Sequence, residues 1–254
     1  LLANRNHRIL PAAPGANGAK IGMSGLKKPT DSNAMTTKLK IDFVSDISCP
    51  WCAIGLSALE GALQRMAGEV TAELHFQPFE LNPQMPPGGQ DITEHLTQKY
   101  GSTPEQQAEI RESIRQRGAE LGFVFRKEGR GRIYNTFDAH RLLHWAGLPA
   151  TRPAGLQGAL KKALLQAYFT HGESPESHQL LLRLVADAGL DAPRARQILA
   201  GDEYAVQVRT LERLYMDAGI HSVPAVIINE KYLISGGQPV EVFEQSLRRI
   251  ANQE

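Results

Sequence analysis

The 254-residue chain is 42% hydrophobic and 22% charged, enough apolar material for a sizeable core, which excludes a wholly disordered chain. Its 28 basic and 27 acidic side chains leave a net charge of +1, so nothing in the balance points to nucleic acid or an acidic membrane surface as partner. No run approaches the roughly 20 apolar residues that span a bilayer, and a soluble chain of one large or two small domains is expected.

Residues 1–36 differ from the rest. Arg5, Arg8, Lys20, Lys27 and Lys28 precede the first acidic residue, Asp31, among many Gly, Pro, Ala and Asn, with no apolar period. This stretch reads as a disordered leader or an expression-tag remnant ahead of a natural start at Met35, with a basic organellar leader as the rival. From Lys40 to Ser45 a short buried strand is expected, followed by Cys49-Pro50-Trp51-Cys52 and a helix with Leu56, Leu59, Leu63 and Met66 on one face. Pro50 suits the first helical position, where a missing N–H costs nothing. Val70 to Gln77 alternates as a strand should.

After a Pro-rich loop, residues 91–218 read as almost wholly helical. Helix faces are marked by Ile110, Ile114 and Leu121, by Leu156, Leu160, Leu164 and Ala167, by Leu181, Leu184, Val185 and Ala188, and by Leu211, Leu214 and Ala218. Val223–Asn229 and Tyr232–Ser235 read as a hairpin, and Pro239 opens a last amphipathic helix. The strands at both ends share one sheet, so residues 37–90 and 202–254 form one domain and 91–201 an inserted helical one.

Cys49 and Cys52 are the chain's two cysteines, too few for a disulfide-stapled scaffold. A zinc site would need two further ligands. His140 and His144 share a helix face, but lie almost 90 residues away. A chance buried pair fits poorly with Pro50 at a helix start. The favoured reading is a redox dithiol. A helix N-terminus stabilises a thiolate with free N–H groups and its dipole, so Cys49, at the entrance, is the nucleophile and Cys52, one turn inside, the resolving thiol.

This strand, the C-x-x-C at a helix start and the later strand opened by Val223-Pro224 resemble the thioredoxin fold, and the long insertion resembles its DsbA branch. Asp42-Phe43-Val44-Ser45-Asp46 leading into Cys49-Pro50-Trp51-Cys52, Asn135-Thr136 before Ala139-His140-Arg141, Ser222-Val223-Pro224-Ala225 and Ser235-Gly236-Gly237-Gln238-Pro239 are similar to the FrnE-like DsbA oxidoreductases, over roughly residues 38–251. The resemblance implies an α/β thioredoxin fold with an all-helical insertion. It also implies a cis Pro224 facing the dithiol, with the Val223 backbone free to pair with a substrate strand. DsbA has histidine where Trp51 stands here. Trp51 has no cationic form, so Cys49 should be less acidic than the DsbA thiol; a Cys49 pKa near about 3.5 would contradict this. Trp51 is expected exposed at the rim of the site.

The family's buried acidic residue behind the dithiol falls near Asp42, with a one-residue shift, so Asp42 is either a proton relay or a strand-edge aspartate. Asp46 reads as motif-positioning. His221, three residues before Pro224, either approaches the dithiol or is an exposed loop histidine. Asn135 reads as a helix cap.

The expected activity is protein disulfide oxidoreductase or isomerase chemistry on disulfide-containing proteins or small thiols, glutathione among the candidates. No metal or organic cofactor is expected, nor a nucleic-acid or membrane partner, and a homodimer stays open. With no export signal visible, a cytoplasmic setting is expected, favouring reductase or isomerase traffic. Two rivals remain. One is a glutathione-dependent isomerase or transferase of the 2-hydroxychromene-2-carboxylate isomerase or kappa class, which has serine where Cys49 stands. The other is a redox-sensing chaperone.

Overall fold

The computed structural model describes residues 36–151 and 155–254, so the leader read at residues 1–36 lies outside it but for its last residue. Strand β1 (Thr37–Ser45) is the centre of a four-stranded sheet, between β2 (Val70–Pro78) and β5 (Ala225–Ile228), with β6 (Tyr232–Ser235) beyond β5. β2 runs parallel to β1, from Thr37 opposite Val70 to Ser45 opposite Pro78. A parallel pair needs a crossover, which α1 (Pro50–Arg65) supplies. β5 pairs antiparallel with both β1 and β6. Because β1 is covered on both faces, Leu39, Ile41, Phe43 and Val44 are all fully buried, and the polar Asp42 and Ser45 are buried with them.

Between the two halves of the sheet lie β3 (Gln90–Asp91), α2 (Ile92–Tyr100), α3 (Pro104–Glu120), β4 (Arg132–Ile133) and α4 (Phe137–Ala146). After them come α5 (Leu156–Phe169), α6 (His178–Asp187), α7 (Ala192–Ala200) and α8 (Ala205–Asp217). The last helix, α9 (Val240–Ala251), buries Phe243, Leu247 and Ile250 and packs on α1. This is a thioredoxin fold with a helical insertion.

Two expectations need correction. The insertion is not wholly helical, because Gln90–Asp91 and Arg132–Ile133 pair as a small antiparallel sheet. Helix α8 also does not bury the stripe of Leu211, Leu214 and Ala218: Leu214 is 58% exposed, while Val208 and Glu212 face inward. A buried Glu with an arginine partner, Arg209, sets that face, and apolar periodicity cannot show it.

Two apolar clusters form the interior. The first joins the sheet to α1 and α9 and includes both cysteines; the second joins α4, α5, α6 and α7. Ile47, two residues before Cys49, belongs to the second. The turn that carries the dithiol is thereby anchored in the insertion.

Candidate active site

Cys49 is the N-cap of α1, with extended backbone and Pro50 at the first turn; its side chain makes no capping bond. The sulfur therefore stands where a capping oxygen normally accepts from free N–H groups. The Cys52 thiol first, and then the nearby N–H groups of Cys52 and Trp51, hold the Cys49 thiol below its ordinary range. Burial and the Asp46 charge oppose them. Cys52 is fully enclosed, and burial first, then the Cys49 sulfur, pushes its thiol well above the ordinary range. Cys49 keeps 4% exposure against none for Cys52, and both are free thiols. The two thiols thus differ in both access and acidity.

The turn before Cys49 is tied by Asp46, 1% exposed. Its Oδ1 accepts from the Ser48 N–H at 3.0 Å and the Thr136 hydroxyl at 3.0 Å. Its Oδ2 accepts from the Ser48 hydroxyl at 2.7 Å and the Leu81 N–H at 2.7 Å. Burial pushes this carboxyl up, but the nearby His140 ring and the backbone donors of Leu81 and Ser48 outweigh it, and Asp46 lies well below the carboxylate range. His140 Nε2 stands 3.7 Å from Oδ1, beyond hydrogen-bond reach, and acts through space. Arg130 closes the same turn by donating to the Ser48 carbonyl at 2.6 Å.

The Val223–Pro224 peptide is cis. The Cys49 thiol donates to the Val223 carbonyl at 3.6 Å, and the Pro224 carbonyl accepts from the Gly236 N–H at 2.8 Å. Gly55, in the second turn of α1, is what lets this loop approach: a Cβ there would lie 2.9 Å from Pro224 Cγ and 3.2 Å from Gly237 Cα.

The other expected residues are distributed differently. Trp51 is half-buried, with the Arg117 guanidinium 5.3 Å from its ring centroid, rather than standing free at the rim. Asp42 is buried on β1, where it accepts from Gln77 Nε2 at 2.6 Å; the groups that act on Cys52 are Cys49, Lys161 and the Asp46 backbone, so the relay reading of Asp42 finds no contact. His221 is exposed, and the groups shifting Cys49 are Cys52, Asp46 and Trp51 instead. Asn135 accepts from the Phe137 N–H at 2.9 Å and so caps α4 from one residue outside Thr136. Among the described residues no three His, Cys, Asp or Glu side chains converge as metal ligands.

Sequence reasoning missed Gly55, Arg130 and Lys161. Lys161, on α5, is fully buried and its Nζ has no hydrogen-bond partner among the described residues. Burial pushes its amine down, against Cys52, Asp46 and Cys49. The signal was available: at helical spacing, Lys161 falls on the same stripe as Leu164, Leu165 and Tyr168. Beside Pro50, a cleft is lined by apolar Ile92, Leu96, Ile110 and Phe125 and by three guanidinium groups, Arg111, Arg126 and Arg130.

Residues 40–248 match the family model of the DSBA-like thioredoxin domain. The solved structure of a probable DsbA oxidoreductase from Streptomyces coelicolor superposes with a TM-score of 0.76 at 34% identity, covering 85% of this chain and 91% of that one. The Bacillus subtilis protein YwbO is 25% identical over 231 residues, 84% of this chain and 96% of YwbO. The cytosolic disulfide reductase DsbM from Pseudomonas aeruginosa, solved with GSH, shares the fold at 17% identity and a TM-score of 0.57, over 84% of this chain and 99% of that one.

Proposed function

The chain belongs to the DsbA-like thioredoxin domain family, and we propose that within it this protein exchanges disulfides through Cys49 and Cys52, on disulfide-containing proteins or small thiols. The observation that carries the reading is the pairing of an acidified thiol at the α1 entrance with an enclosed, less acidic one behind it. The Cys49 thiolate attacks one sulfur of a substrate disulfide and displaces the other as a thiolate. Cys52 then attacks Cys49 and releases the second substrate thiol, leaving the Cys49–Cys52 disulfide.

Pro50 supports the site by starting the helix without an N–H. The Val223 backbone, against Cys49 Sγ across the Pro224 loop, offers an edge for an extended substrate strand. Residues 37–90 and 202–254 supply this chemistry, and the inserted residues 91–201 supply the cleft beside Pro50. Its three arginines suit carboxylate-bearing thiols such as glutathione, the ligand printed for the DsbM neighbour. Among the described residues no helix is long and apolar enough to cross a membrane. We place the protein in the cytoplasm as a reductase or isomerase. An intact dithiol favours this over the glutathione-dependent isomerases and transferases.

The equilibrium reduction potential, read from Trp51 fluorescence in glutathione buffers, tests the reading. A value of about −200 to −270 mV supports it, about −120 mV points to a strong oxidant instead, and no two-electron transition overturns dithiol exchange. The double variant Cys49→Ser, Cys52→Ser abolishes the activity, whereas a chaperone role would survive it.

A further inference from the structure

Two glutamates that take no part in the dithiol chemistry border a cavity of ≈ 320 Å³ between the segment after β2 and helix α8. Glu80 lies two residues beyond β2, and Glu212 turns inward from α8. Their side chains are only 2% and 8% exposed. A single nitrogen, Arg209 Nη1, donates to Oε2 of both. Oε1 of each has no hydrogen-bond partner among the described residues. The Arg209 guanidinium also lies 3.9 Å from the Phe137 ring centroid, which fixes it in place. Arg213 lines the same cavity but pairs with neither carboxylate among the described residues. Two carboxylates against one guanidinium leave the cluster one positive charge short, and each Oε1 one hydrogen bond short. Both deficits are costly in a buried place. The other walls, Phe79, Pro83 and Met216, are apolar. Buried acceptors set among apolar walls are the features that recognise an amphipathic cation.

We propose that this cavity binds a primary ammonium carried on an aliphatic chain, Glu80 and Glu212 receiving the charge and Phe79, Pro83 and Met216 the chain. An ammonium has three N–H donors and no acceptor, so one group can answer both Oε1 atoms and supply the missing charge. A divalent metal ion fits less well. Such hard cations take six or more oxygen ligands, and among the described residues no three His, Cys, Asp or Glu side chains converge. A neutral alcohol brings one donor for two acceptors and no charge. Arg209 and Glu212 face Glu80 from α8, and Asp46 faces it from the turn before Cys49. Burial first, then the Glu212 charge, raises Glu80 to about 8, so at neutral pH a proton makes up the charge that the ammonium brings. Binding exchanges that proton for the ammonium and tightens as pH rises. Free alkylamines and the lysyl side chain of a polypeptide share this chemistry.

The test titrates the full chain with n-pentylammonium chloride in a calorimeter at about pH 9, where Glu80 is ionised and the amine still charged. One saturable site with a Kd on the order of 1 mM is expected, several-fold weaker at about pH 7. Pentan-1-ol and magnesium chloride should give no saturable heat. Glu80→Gln and Glu212→Gln should each weaken the ammonium about tenfold or more. Met216→Trp, at a position 42% exposed, should block it by filling the cavity. Absence of saturable binding to the unaltered protein overturns the inference, as does equal binding of pentan-1-ol or an affinity level across this pH range. These outcomes need no variant to fold. Unchanged affinity in both glutamine variants overturns it as well. A blocked peptide with one central lysine separates the two sources: competition with pentylammonium assigns the cavity to lysyl side chains, and its absence beside pentylammonium binding assigns it to free amines.

Discussion

Two buried carboxylates flank the same short segment of chain and behave oppositely. Asp46 accepts from Leu81 and three other donors and is held well below the carboxylate range. Glu80, one residue before Leu81, has a side chain 2% exposed and shares the Arg209 guanidinium with Glu212, which Arg209 meets at 2.8 Å. Glu80 Oε1 and Glu212 Oε1 have no hydrogen-bond partner among the described residues. Burial first, then the Glu212 charge, raises Glu80 to about 8 in spite of Arg209. Enclosure is similar in the two places, so the surroundings decide which stays ionised: His140 and four donors beside Asp46, the Glu212 charge and an unpartnered oxygen at Glu80. The ionised one holds the turn before Cys49 in shape. The other borders a cavity of ≈ 320 Å³ lined by Phe79, Pro83 and Met216, on the α8 side of that turn.

Asp46→Ala gives the largest effect. It strands the buried N–H groups of Ser48 and Leu81 and the Thr136 hydroxyl, and should cost about 3–5 kcal/mol in urea unfolding at neutral pH. A loss under about 1 kcal/mol would show that Ile47 and Arg130 hold the turn without it. Because the folded pKa is depressed, this stability is fully present above the unfolded carboxylate value of about 3.9 and is lost as pH falls through the folded one. Asp46→Asn turns its amide NH2 against the Ser48 or the Leu81 N–H and so loses part of the turn, but it also removes the charge that opposes Cys49 ionisation, so the Cys49 thiolate should form at lower pH, read by absorbance near 240 nm.

Glu80→Gln comes next, with the opposite sign. A carboxyl raised in the fold contributes stability below its unfolded pKa of about 4.3 and loses it as pH rises through the folded value. The unaltered protein should thus weaken between about pH 4 and the folded value of about 8. The glutamine variant should lack that slope and gain about 2 kcal/mol at pH 8, discounted for partial solvation. Parallel unfolding curves for the two proteins across this range would break the comparison, because Glu80 would then be ionised like Asp46.

Much of this frame was legible in the chain. Alternation marked β2, two short apolar runs around a turn marked the β5–β6 hairpin, Pro50 and the cysteine spacing marked the start of α1, and Val223-Pro224 marked the loop that meets it. What was not legible depended on tertiary convergence. Asp46, Ser48, Leu81 and Thr136 are spread over 90 residues, and no local pattern announces that four donors reach one carboxylate. Asp42, on the central strand, was left open between a relay and a strand-edge aspartate, because the sequence does not show that Gln77 donates to its carboxyl. β3 and β4 pair through two residues each, too short for any period to register. Leu214 misled because a helix face reads as buried only when its partners are apolar, and α8 turns Glu212 inward toward Arg209.

Thr136→Val makes the smallest change and the sharpest one. Its hydroxyl donates to Asp46 Oδ1 at 3.0 Å and it is 3% exposed, so valine fills the same space and removes one donor of four. The expected loss is about 1 kcal/mol. If donor count rather than burial keeps Asp46 ionised, its pKa must climb toward the ordinary value, and the acid limb of the stability curve should move to higher pH while the Glu80 slope stays where it was. With less of its charge answered by that hydroxyl, Asp46 should also oppose Cys49 ionisation more strongly, moving the 240 nm titration upward. A stability loss with neither shift would mean that Thr136 acts by packing, and that the remaining three donors already saturate the carboxylate.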